Sequence, residues 1–249
     1  MYNKKITHIR DKIRITKFYG SQLGNRSSRK PRKACKSQSK KMEKNNARLL
    51  VQKLCDIMTL NFEQGDWHLS LTYPAGTMTD PAEAQKHISD FLKRMRRMCK
   101  KMNIPFKYIY ATHLSKKGAL HHHIILPQAI PFALIQEKWK SGEGNGTVAL
   151  CNVLYPNYDY YGLAAYLLKY KSETGKFEDG VHVANGRRYS CSQNLERPKE
   201  EYEVIRSNRW KEEPNVPKGY YIENIYNSID QRTGYPYQTY TLVPLKRRI

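Results

Sequence analysis

Hydrophobic and polar positions alternate along three segments in the middle of the chain. Residues 67–73 alternate large apolar with smaller polar side chains and stop at a proline, which is typical of a half-buried strand. Residues 105–113 and 119–126 repeat this character, and the short glycine-containing turn between them predicts an antiparallel hairpin. A fourth strand is predicted over residues 147–153, after a turn rich in glycine.

Apolar residues recur at helical spacing in the segments between these strands. The clearest helix starts after Asp80, because Asp80 suits the N-cap, Pro81 the first helical position and Glu83 the third position after the cap. Three further helices are predicted, over residues 45–62, 131–140 and 160–171.

The order of these elements is strand, helix, strand, strand, helix, strand, helix, which indicates an α+β fold. We expect an antiparallel sheet of about five strands in the split βαβ arrangement, with the helices packed on one face. Three regions are predicted: a flexible basic N-terminal segment over residues 1–44, a core over residues 45–175, and a C-terminal extension over residues 176–249. The extension is rich in tyrosine, and we expect it to form short strands and turns that pack on the core.

The composition indicates a polyanionic partner. The 249 residues include 44 Lys and Arg against 22 Asp and Glu, a net charge of +22, which favours nucleic acid. No apolar run approaches the roughly 20 residues of a membrane-spanning helix. The N-terminus also lacks the apolar stretch of a signal peptide, so we expect a cytoplasmic protein without a membrane partner. The five cysteines are widely spaced without a CxxC pair, which favours reduced thiols over a disulfide framework or a zinc ribbon.

Several basic segments are candidates for contact with DNA. Residues 1–50 carry 16 Lys and Arg against two acids, and residues 27–44 are poor in large apolar side chains. Such a segment is predicted to be flexible and to gain phosphate contacts on DNA. The residues predicted to contact DNA are Lys30, Arg32, Lys33, Arg94, Arg97, Lys116 and Lys117. The alternatives are a solubilising tail and an ordinary solvated helix face.

Three consecutive histidines lie within the apolar strand that ends the hairpin. Alternation places His121 and His123 on one face and His122 on the other. Two imidazoles about 7 Å apart along a strand can converge on one divalent ion. His113 on the preceding strand can face the same side. The alternative is a set of unrelated histidines, but rings without partners would be costly to bury, so the pattern predicts a metal site.

A second group of residues has the spacing of a helix face. Tyr166, Lys169 and Tyr170 are three or four residues apart and would share one face of the helix predicted over residues 160–171. A tyrosine hydroxyl with a pKa of about 10 is a poor nucleophile. It needs a polarised target, which a metal ion supplies, and a nearby positive charge, which Lys169 supplies. Aromatic residues at this spacing usually belong to a core, and the histidines upstream give the pattern its meaning.

These segments together resemble the HUH endonucleases, a family named for two histidines separated by one residue. The nearest likeness is to the initiators of rolling-circle replication in small plasmids and single-stranded DNA phages. Residues 67–74 (WHLSLTYP) resemble the first motif of that family, residues 121–126 (HHHIIL) its metal motif, and residues 160–171 (YYGLAAYLLKYK) its nucleophile helix. The resemblance covers about residues 45–240, and it implies an RRM-like HUH fold.

The resemblance also implies a reaction and a set of roles. His121 and His123 would be ligands of Mn²⁺ or Mg²⁺, Tyr166 the nucleophile and Lys169 its helper. The tyrosine would attack single-stranded or cruciform origin DNA, form a 5′-phosphotyrosine bond and free a 3′-OH for the host polymerase and helicase. Relatives often have glutamate where this chain has His113. An all-imidazole set would favour Mn²⁺ or another transition metal, and the alternative is an acid from elsewhere in the chain.

Some alternatives stay open at the level of sequence. Phage-type initiators can use two tyrosines four apart, which Tyr166 and Tyr170 match, although Tyr170 can also simply pack. A relaxase or transposase would share the chemistry, but relaxases place the tyrosine before the histidines. A non-catalytic DNA- or RNA-binding protein also suits a basic chain rich in aromatics. No P-loop of the GxxxxGK[ST] type is present, so a fused helicase or ATPase is not indicated.

Overall fold

Four helices and twelve strands are present in the part of the chain that the computed structural model describes. Described are residues 1–19, 36–74, 80–115, 118–140, 146–154, 160–171, 174, 176–177, 187–229 and 234–245, with the backbone alone for residues 36–44 and 177. The helices are α1 (Lys36–Asn61), α2 (Pro81–Lys101), α3 (Phe132–Lys140) and α4 (Tyr161–Leu167). The strands are β1 (Tyr2–Ile9), β2 (Lys12–Phe18), β3 (Trp67–Thr72), β4 (Ile109–Leu114), β5 (Leu120–Leu126), β6 (Val148–Val153), β7 (Tyr170–Lys171), β8 (Lys176–Phe177), β9 (Ser190–Cys191), β10 (Lys199–Ile205), β11 (Tyr220–Ile229) and β12 (Pro236–Pro244). The chain divides into two compact units, residues 47–196 and residues 1–46 with 197–249.

The larger unit is built on a five-stranded antiparallel sheet in the order β6-β3-β5-β4-β9. Strand β5 lies at its centre and pairs with β3 on one side and with β4 on the other. The β4–β5 pair is the predicted hairpin, and its turn includes Gly118 with a positive φ of 78°, which suits glycine. The predicted α+β class with a five-stranded antiparallel sheet is confirmed.

Helices cover both faces of this sheet, so the prediction of helices on one face is wrong. On one face, apolar residues of α2 and α3 pack against Leu69 and Ile124. On the other face, apolar residues of α1 and α4 pack against Ile109 and Ile125. Since consecutive residues of β5 are buried on opposite sides, the strand has a continuous apolar run rather than a polar face, as strands covered on both sides do.

Local signals explain where α2 begins. The Asp80 carboxylate accepts a hydrogen bond from the N–H of Ala82 at 3.0 Å, and Pro81 is the first helical residue. Lys100 and Lys101 lie in the last turn, where positive charge is favourable to the helix dipole. The predicted start of this helix is confirmed.

Helix α4 is shorter than the sequence pattern predicts. It ends at Leu167, Leu168 caps it, and Lys169 has a positive φ of 52°, so that Tyr170 lies in strand β7. The prediction of one helix through residue 171 is therefore wrong for its last turn. Leu167 and Leu168 are both buried, and their packing ends the helix although no glycine or proline marks the position.

The smaller unit is a second five-stranded antiparallel sheet, in the order β10-β1-β2-β12-β11. Its β1–β2 hairpin contradicts the prediction of a flexible segment for residues 2–18. The hairpin is ordered because Ile15 packs with Tyr240 and Leu242 of β12 and because β10 pairs along β1. Helix α1 begins at Lys36 rather than at residue 45, and residues 20–35 lie outside the described part of the chain.

The region after residue 175 is divided between the two units. Strand β9 pairs with β4 at Ile109↔Cys191, so the larger unit extends to Glu196. Strands β10, β11 and β12 belong to the second sheet, which bears out the predicted strands of this region. The expectation that the C-terminal region packs on the core stays a prediction. Among the helices of the described residues, none is long and apolar enough to cross a membrane.

Candidate active site

The β4–β5 hairpin brings three histidines to one place on the sheet. His113 lies directly opposite His121, and His123 lies opposite Ala111 on the same face. The ring centres of His113 and His123 are 4.8 Å apart, and those of His121 and His123 are 5.0 Å apart. Each ring offers a nitrogen within 4.8 Å of the nitrogens of the other two. The structure therefore brings together the three residues predicted as metal ligands.

Burial keeps these rings uncharged. His113 and His123 are each 4% exposed. Desolvation by burial lowers the pKa of His113 to about 4 and that of His123 to about 2, and the positive charge of Lys169 acts in the same direction on both. Burial also lowers the pKa of His121. Since uncharged imidazole is the form that binds a metal ion, the lone pairs are available at neutral pH.

A backbone carbonyl orients the His113 ring. Its Nε2 lies 3.0 Å from the carbonyl oxygen of Leu167. Because a carbonyl oxygen only accepts, Nε2 carries the proton and the lone pair is on Nδ1. Histidines that bind metals commonly donate their other ring nitrogen to such an acceptor. The C-terminal end of α4 thus orients a candidate ligand on β4.

The three rings fit a divalent ion. Nitrogens bound to one ion at about 2.1 Å lie roughly 3.0 to 3.4 Å from each other. Rings whose nitrogens already lie within 4.8 Å need only small rotations to reach that arrangement. Within the described residues, no aspartate or glutamate joins the candidate ligands, so the donor set is imidazole. These residues can hold a metal ion.

Tyr166, at the end of α4, lies against the histidines. Its hydroxyl oxygen is 2.9 Å from Nε2 of His123, and its ring centre is 5.6 Å from that of His113. The side chain is 51% exposed, so a substrate can reach it. Burial of the hydroxyl raises the pKa of Tyr166, and Cys151 acts in the same direction, so the phenol keeps its proton at neutral pH. The structure places Tyr166 beside the predicted ligands.

Lys169 occupies the position after a helix where glycine is usual. Its φ of 52° is unfavourable for a residue with a side chain, by about 1 kcal/mol. Its Nζ donates a hydrogen bond to the carbonyl oxygen of Leu114 at 3.2 Å, one residue beyond His113. This strained backbone holds a positive charge close to the histidines, which is the reason that Lys169 contributes to their lowered pKa values.

Tyr170 does not share a helix face with Tyr166. It lies in β7, pairs with Phe177 of β8 and packs against the apolar cluster of α1 and α4. The predicted common face of Tyr166, Lys169 and Tyr170 is therefore wrong, because the helix ends before Lys169. Any catalytic role of Tyr170 stays a prediction.

Two further potential ligands lie next to His123 and were not predicted. The ring centre of His68 on β3 is 5.3 Å from that of His123, and Sγ of Cys151 on β6 is 3.8 Å from Nδ1 of His123. These three residues form a second group with ligand atoms within 4.8 Å of one another. Alternation along residues 67–73 separates His68 from Leu69, but only the pairing of β3 with β5 shows that His68 faces His123.

His122 lies on the opposite face of β5, as alternation predicts. It is fully buried, with the Tyr73 hydroxyl 2.7 Å from its Nε2 and the Thr112 hydroxyl 2.9 Å from its Nδ1. Burial lowers the pKa of His122 to about 3. Both ring nitrogens have partners, so His122 is a core histidine rather than a candidate ligand.

The residues predicted to contact DNA lie away from the histidines or outside the described residues. Arg94 and Arg97 are on α2, which packs on the face opposite His113, His121 and His123. Arg94 donates a hydrogen bond from Nε to the carbonyl oxygen of Lys138 at 3.1 Å, and Arg97 is exposed. Outside the described residues lie Lys30, Arg32, Lys33, Lys116 and Lys117.

One family model matches the chain. The model of the replication-associated protein ORF2 family matches residues 66–175, which are less than half of the chain. This stretch contains β3 to β7, and with them the candidate ligands and Tyr166. The match supports a family of replication initiators. Comparison with curated proteins and with solved structures gave no match.

Proposed function

We propose that the chain is a replication initiator of the HUH type that nicks one DNA strand with Tyr166, assisted by a metal ion on His113, His121 and His123. Cleavage would leave a 5′-phosphotyrosine bond on the protein and a free 3′-OH for rolling-circle synthesis. The match of residues 66–175 to replication-associated proteins supports the initiator class. The nicking chemistry is inferred from the side chains.

The contact between Tyr166 and His123 is the observation that carries the proposal. A tyrosine with a purely structural role would bury its ring, whereas Tyr166 is 51% exposed with its hydroxyl 2.9 Å from an uncharged imidazole. That imidazole belongs to a group that can hold an ion. A solvent-accessible nucleophile beside a candidate ion is suited to attack on a phosphate.

In the proposed step, the Tyr166 oxygen forms a bond to phosphorus while the bond from phosphorus to the 3′ oxygen breaks. The proton lost by the phenol ends on the 3′ oxygen, so the products are a phosphotyrosine diester and a 3′-OH. The reverse exchange rejoins the strand. An ion on the histidines would draw charge from the scissile phosphate. Lys169 would stabilise the negative charge that develops on the phenol oxygen and phosphate, since its amine is held at the end of β4.

We propose Mn²⁺ as the activating ion and Mg²⁺ as the alternative. Mg²⁺ prefers oxygen ligands in octahedral geometry. The three candidate ligands are imidazoles without a carboxylate among the described residues, which favours a transition metal.

The proposed substrate is single-stranded or cruciform origin DNA, whose 3′-OH a host polymerase and helicase would use. The chain carries a net charge of +22, which supports a polyanionic partner. The larger unit also has an open groove of about 760 Å³, lined by Arg96, Lys100 and Arg187 together with Phe106 and Tyr108. Cations that contact phosphates and rings that stack on bases are typical of single-strand binding, so we propose this groove as a contact for the substrate.

A covalent-adduct gel tests the proposed function. Purified protein would be mixed with fluorescent single-stranded DNA from the origin of its own replicon, with Mn²⁺, Mg²⁺ or EDTA. We expect a shifted band that survives denaturant, requires metal and disappears in Tyr166→Phe. Tyr170→Phe is the matched control and should keep the band. A band that persists in Tyr166→Phe and is lost in Tyr170→Phe would move the nucleophile to Tyr170.

Other outcomes separate the two competing classes. Tight DNA binding without a band under any metal would indicate a non-catalytic nucleic-acid-binding protein. An adduct that joins two different DNA ends more efficiently than it recloses one nick would indicate a transposase with the same site chemistry.

A further inference from the structure

The face of the candidate site toward β6 has an unused metal-binding group. His68 is 6% exposed, and its Nε2 has no hydrogen-bond partner among the described residues. A buried imidazole nitrogen without a partner is unfavourable unless an ion or water meets it. Burial lowers the pKa of His68 to about 4, so the ring is uncharged at neutral pH.

A bulge in β6 directs Cys151 to the same place. His68 pairs with Asn152 and Leu69 pairs with Leu150, so Cys151 is an extra residue that has no partner position on β3. A bulge of this kind places two successive side chains opposite one residue of the neighbouring strand. As a result, Sγ of Cys151 lies 3.8 Å from Nδ1 of His123, while the thiol remains exposed.

We infer that His68, His123 and Cys151 form a second cation site, specific for a thiophilic ion such as Zn²⁺. Two imidazoles and one thiolate leave a fourth position for water, which is a usual ligand number for zinc. A thiolate selects softer metals than Mn²⁺ or Mg²⁺. On binding, the thiol of Cys151 loses its proton to solvent and the sulfur becomes an anionic ligand.

The two groups share His123, and this makes their occupation exclusive. An uncharged imidazole has one lone pair, because its other nitrogen carries the proton. His123 can therefore bind an ion with His113 and His121, or an ion with His68 and Cys151, but not both. A thiophilic ion at the second site would withdraw His123 from the first site. This inhibition rests on the proposed function, whereas the second ion site itself does not.

The competing explanation for the geometry is a weak hydrogen bond from the Cys151 thiol to His123, without any ion. Co²⁺ distinguishes the two, because a cobalt–thiolate bond gives a charge-transfer absorption in the near ultraviolet that imidazole ligation lacks. The full-length reduced protein would be titrated with Co²⁺ and followed by absorption. We expect this band in the wild-type protein and its loss in Cys151→Ser, with a Co²⁺ dissociation constant for the second site at least roughly tenfold higher.

Two control variants identify the source of the band. Cys191→Ser, which removes a partly exposed thiol elsewhere on the sheet, should keep it. His121→Ala, which removes a ligand of the first group only, should also keep it, while His68→Ala should weaken it. A wild-type protein without the band, or a band that survives Cys151→Ser, would overturn the inference.

The second arm concerns inhibition. With Mn²⁺ present, Zn²⁺ should suppress adduct formation in the wild-type protein, and Cys151→Ser should raise the half-inhibitory Zn²⁺ concentration at least roughly tenfold. Equal inhibition of both proteins would refute the competition for His123. A cobalt–thiolate band in a protein that never forms an adduct would leave the second site standing and reject the proposed function instead.

Discussion

At the scale of single residues, the three consecutive histidines of β5 lie in two environments. His122 is buried with both nitrogens in hydrogen bonds, to Tyr73 and Thr112. His121 and His123 face the other side and converge with His113. Buried polar atoms are normally satisfied by partners. His122 finds its partners within the protein, and the proposed ion would be the partner for the other two.

Alanine substitutions of neighbouring histidines should therefore have opposite effects. His121→Ala should raise the dissociation constant for Mn²⁺ at least roughly tenfold and change the free energy of unfolding by less than about 1 kcal/mol, because its ring is partly exposed. His122→Ala should lower the free energy of unfolding by about 2 to 4 kcal/mol, since it leaves a cavity and two hydroxyls without their partner. Calorimetric metal titration and urea denaturation measure the two effects. Loss of metal binding in a folded His122→Ala protein would contradict the division.

Lys169 is a second residue whose effect on stability should differ from its effect on activity. Lys169→Gly relieves the positive φ and should raise the free energy of unfolding by about 0.5 to 1 kcal/mol. The same change removes the charge beside the histidines and should reduce the rate of adduct formation about a hundredfold. Urea denaturation and single-turnover adduct assays measure these quantities. Asn103→Gly, at another positive φ of 54°, is the control and should leave the adduct rate unchanged.

Sequence could predict some site residues because their contacts are local. His113 and His121 flank a short turn, so a hairpin alone places them opposite each other. Tyr166 followed from a family resemblance to a helix motif. His68 and Cys151 could not be found in this way, because their positions depend on the pairing of β3 with strands far away in the chain and on a bulge.

At the scale of elements, the start of β6 is joined to the end of β3 by a very close approach. The Thr72 carbonyl oxygen accepts hydrogen bonds from the Thr147 N–H at 3.1 Å and from the Trp139 indole N–H at 3.0 Å. Gly146 lies against the same carbonyl, where a Cβ atom would collide with it and with the Trp139 indole nitrogen. Only glycine allows the backbone to approach this closely.

Two glycine-to-alanine substitutions test this contact. Gly146→Ala should lower the free energy of unfolding by about 1 to 3 kcal/mol, because β6 must move away from β3. Gly162→Ala is the matched control: it lies within α4 with open space around it, and should raise the free energy of unfolding by about 0.5 to 1 kcal/mol. Thermal or urea denaturation of both variants gives the comparison, and equal effects of the two would contradict the close approach.

Elements with strong local signals were predictable, and elements fixed by distant packing were not. Asp80 and Pro81 mark the start of α2, and Gly118 marks the hairpin turn. The end of α4 has no such signal, since buried Leu167 and Leu168 stop the helix through their packing. The loss of that last turn matters for chemistry, because it separates Tyr170 from Tyr166.

At the scale of the whole molecule, the second sheet joins the two ends of the chain. Strand β1 pairs with β10 through contacts such as Asn3↔Val204, and β2 pairs with β12 through contacts such as Ile15↔Tyr240. The N-terminal residues combine a few isoleucines with many basic side chains. Composition alone therefore indicated a charged tail, because the partners that bury the isoleucines lie about 200 residues further along.

The buried histidines should make the metal-free molecule sensitive to acid. The pKa values of His68 and His113 are lowered to about 4, and those of His122 and His123 to about 3 and about 2. In the unfolded chain these groups titrate at about 6.5. Below that pH the unfolded state binds more protons, so the free energy of unfolding falls by about 1.4 kcal/mol per pH unit for each group.

This stabilisation is complete above pH 6.5 and lost as the pH falls toward 4. Four such groups exceed a typical stability of about 5 to 15 kcal/mol within roughly one to three pH units, so we expect cooperative unfolding in that window. Circular dichroism in EDTA across this range measures it. Excess Mn²⁺ should move the midpoint to lower pH, because the ion binds only the folded, uncharged rings. Constant stability from pH 7 to 4.5 would show that these rings are not buried and uncharged.

The identity of the nucleophile tests the central claim most directly, and mass spectrometry of the trapped adduct can determine it. Trypsin cleaves after Lys140, Lys169 and Lys171, so Tyr166 falls on the peptide of residues 141–169 and Tyr170 on a separate dipeptide. After nuclease digestion of the bound DNA, we expect one phosphonucleotide on the 141–169 peptide, with fragmentation assigning it to Tyr166. A modification on Tyr170, on another tyrosine of that peptide, or on none, in a protein that binds origin DNA and Mn²⁺, would contradict the assignment of Tyr166 as the residue that cuts the strand.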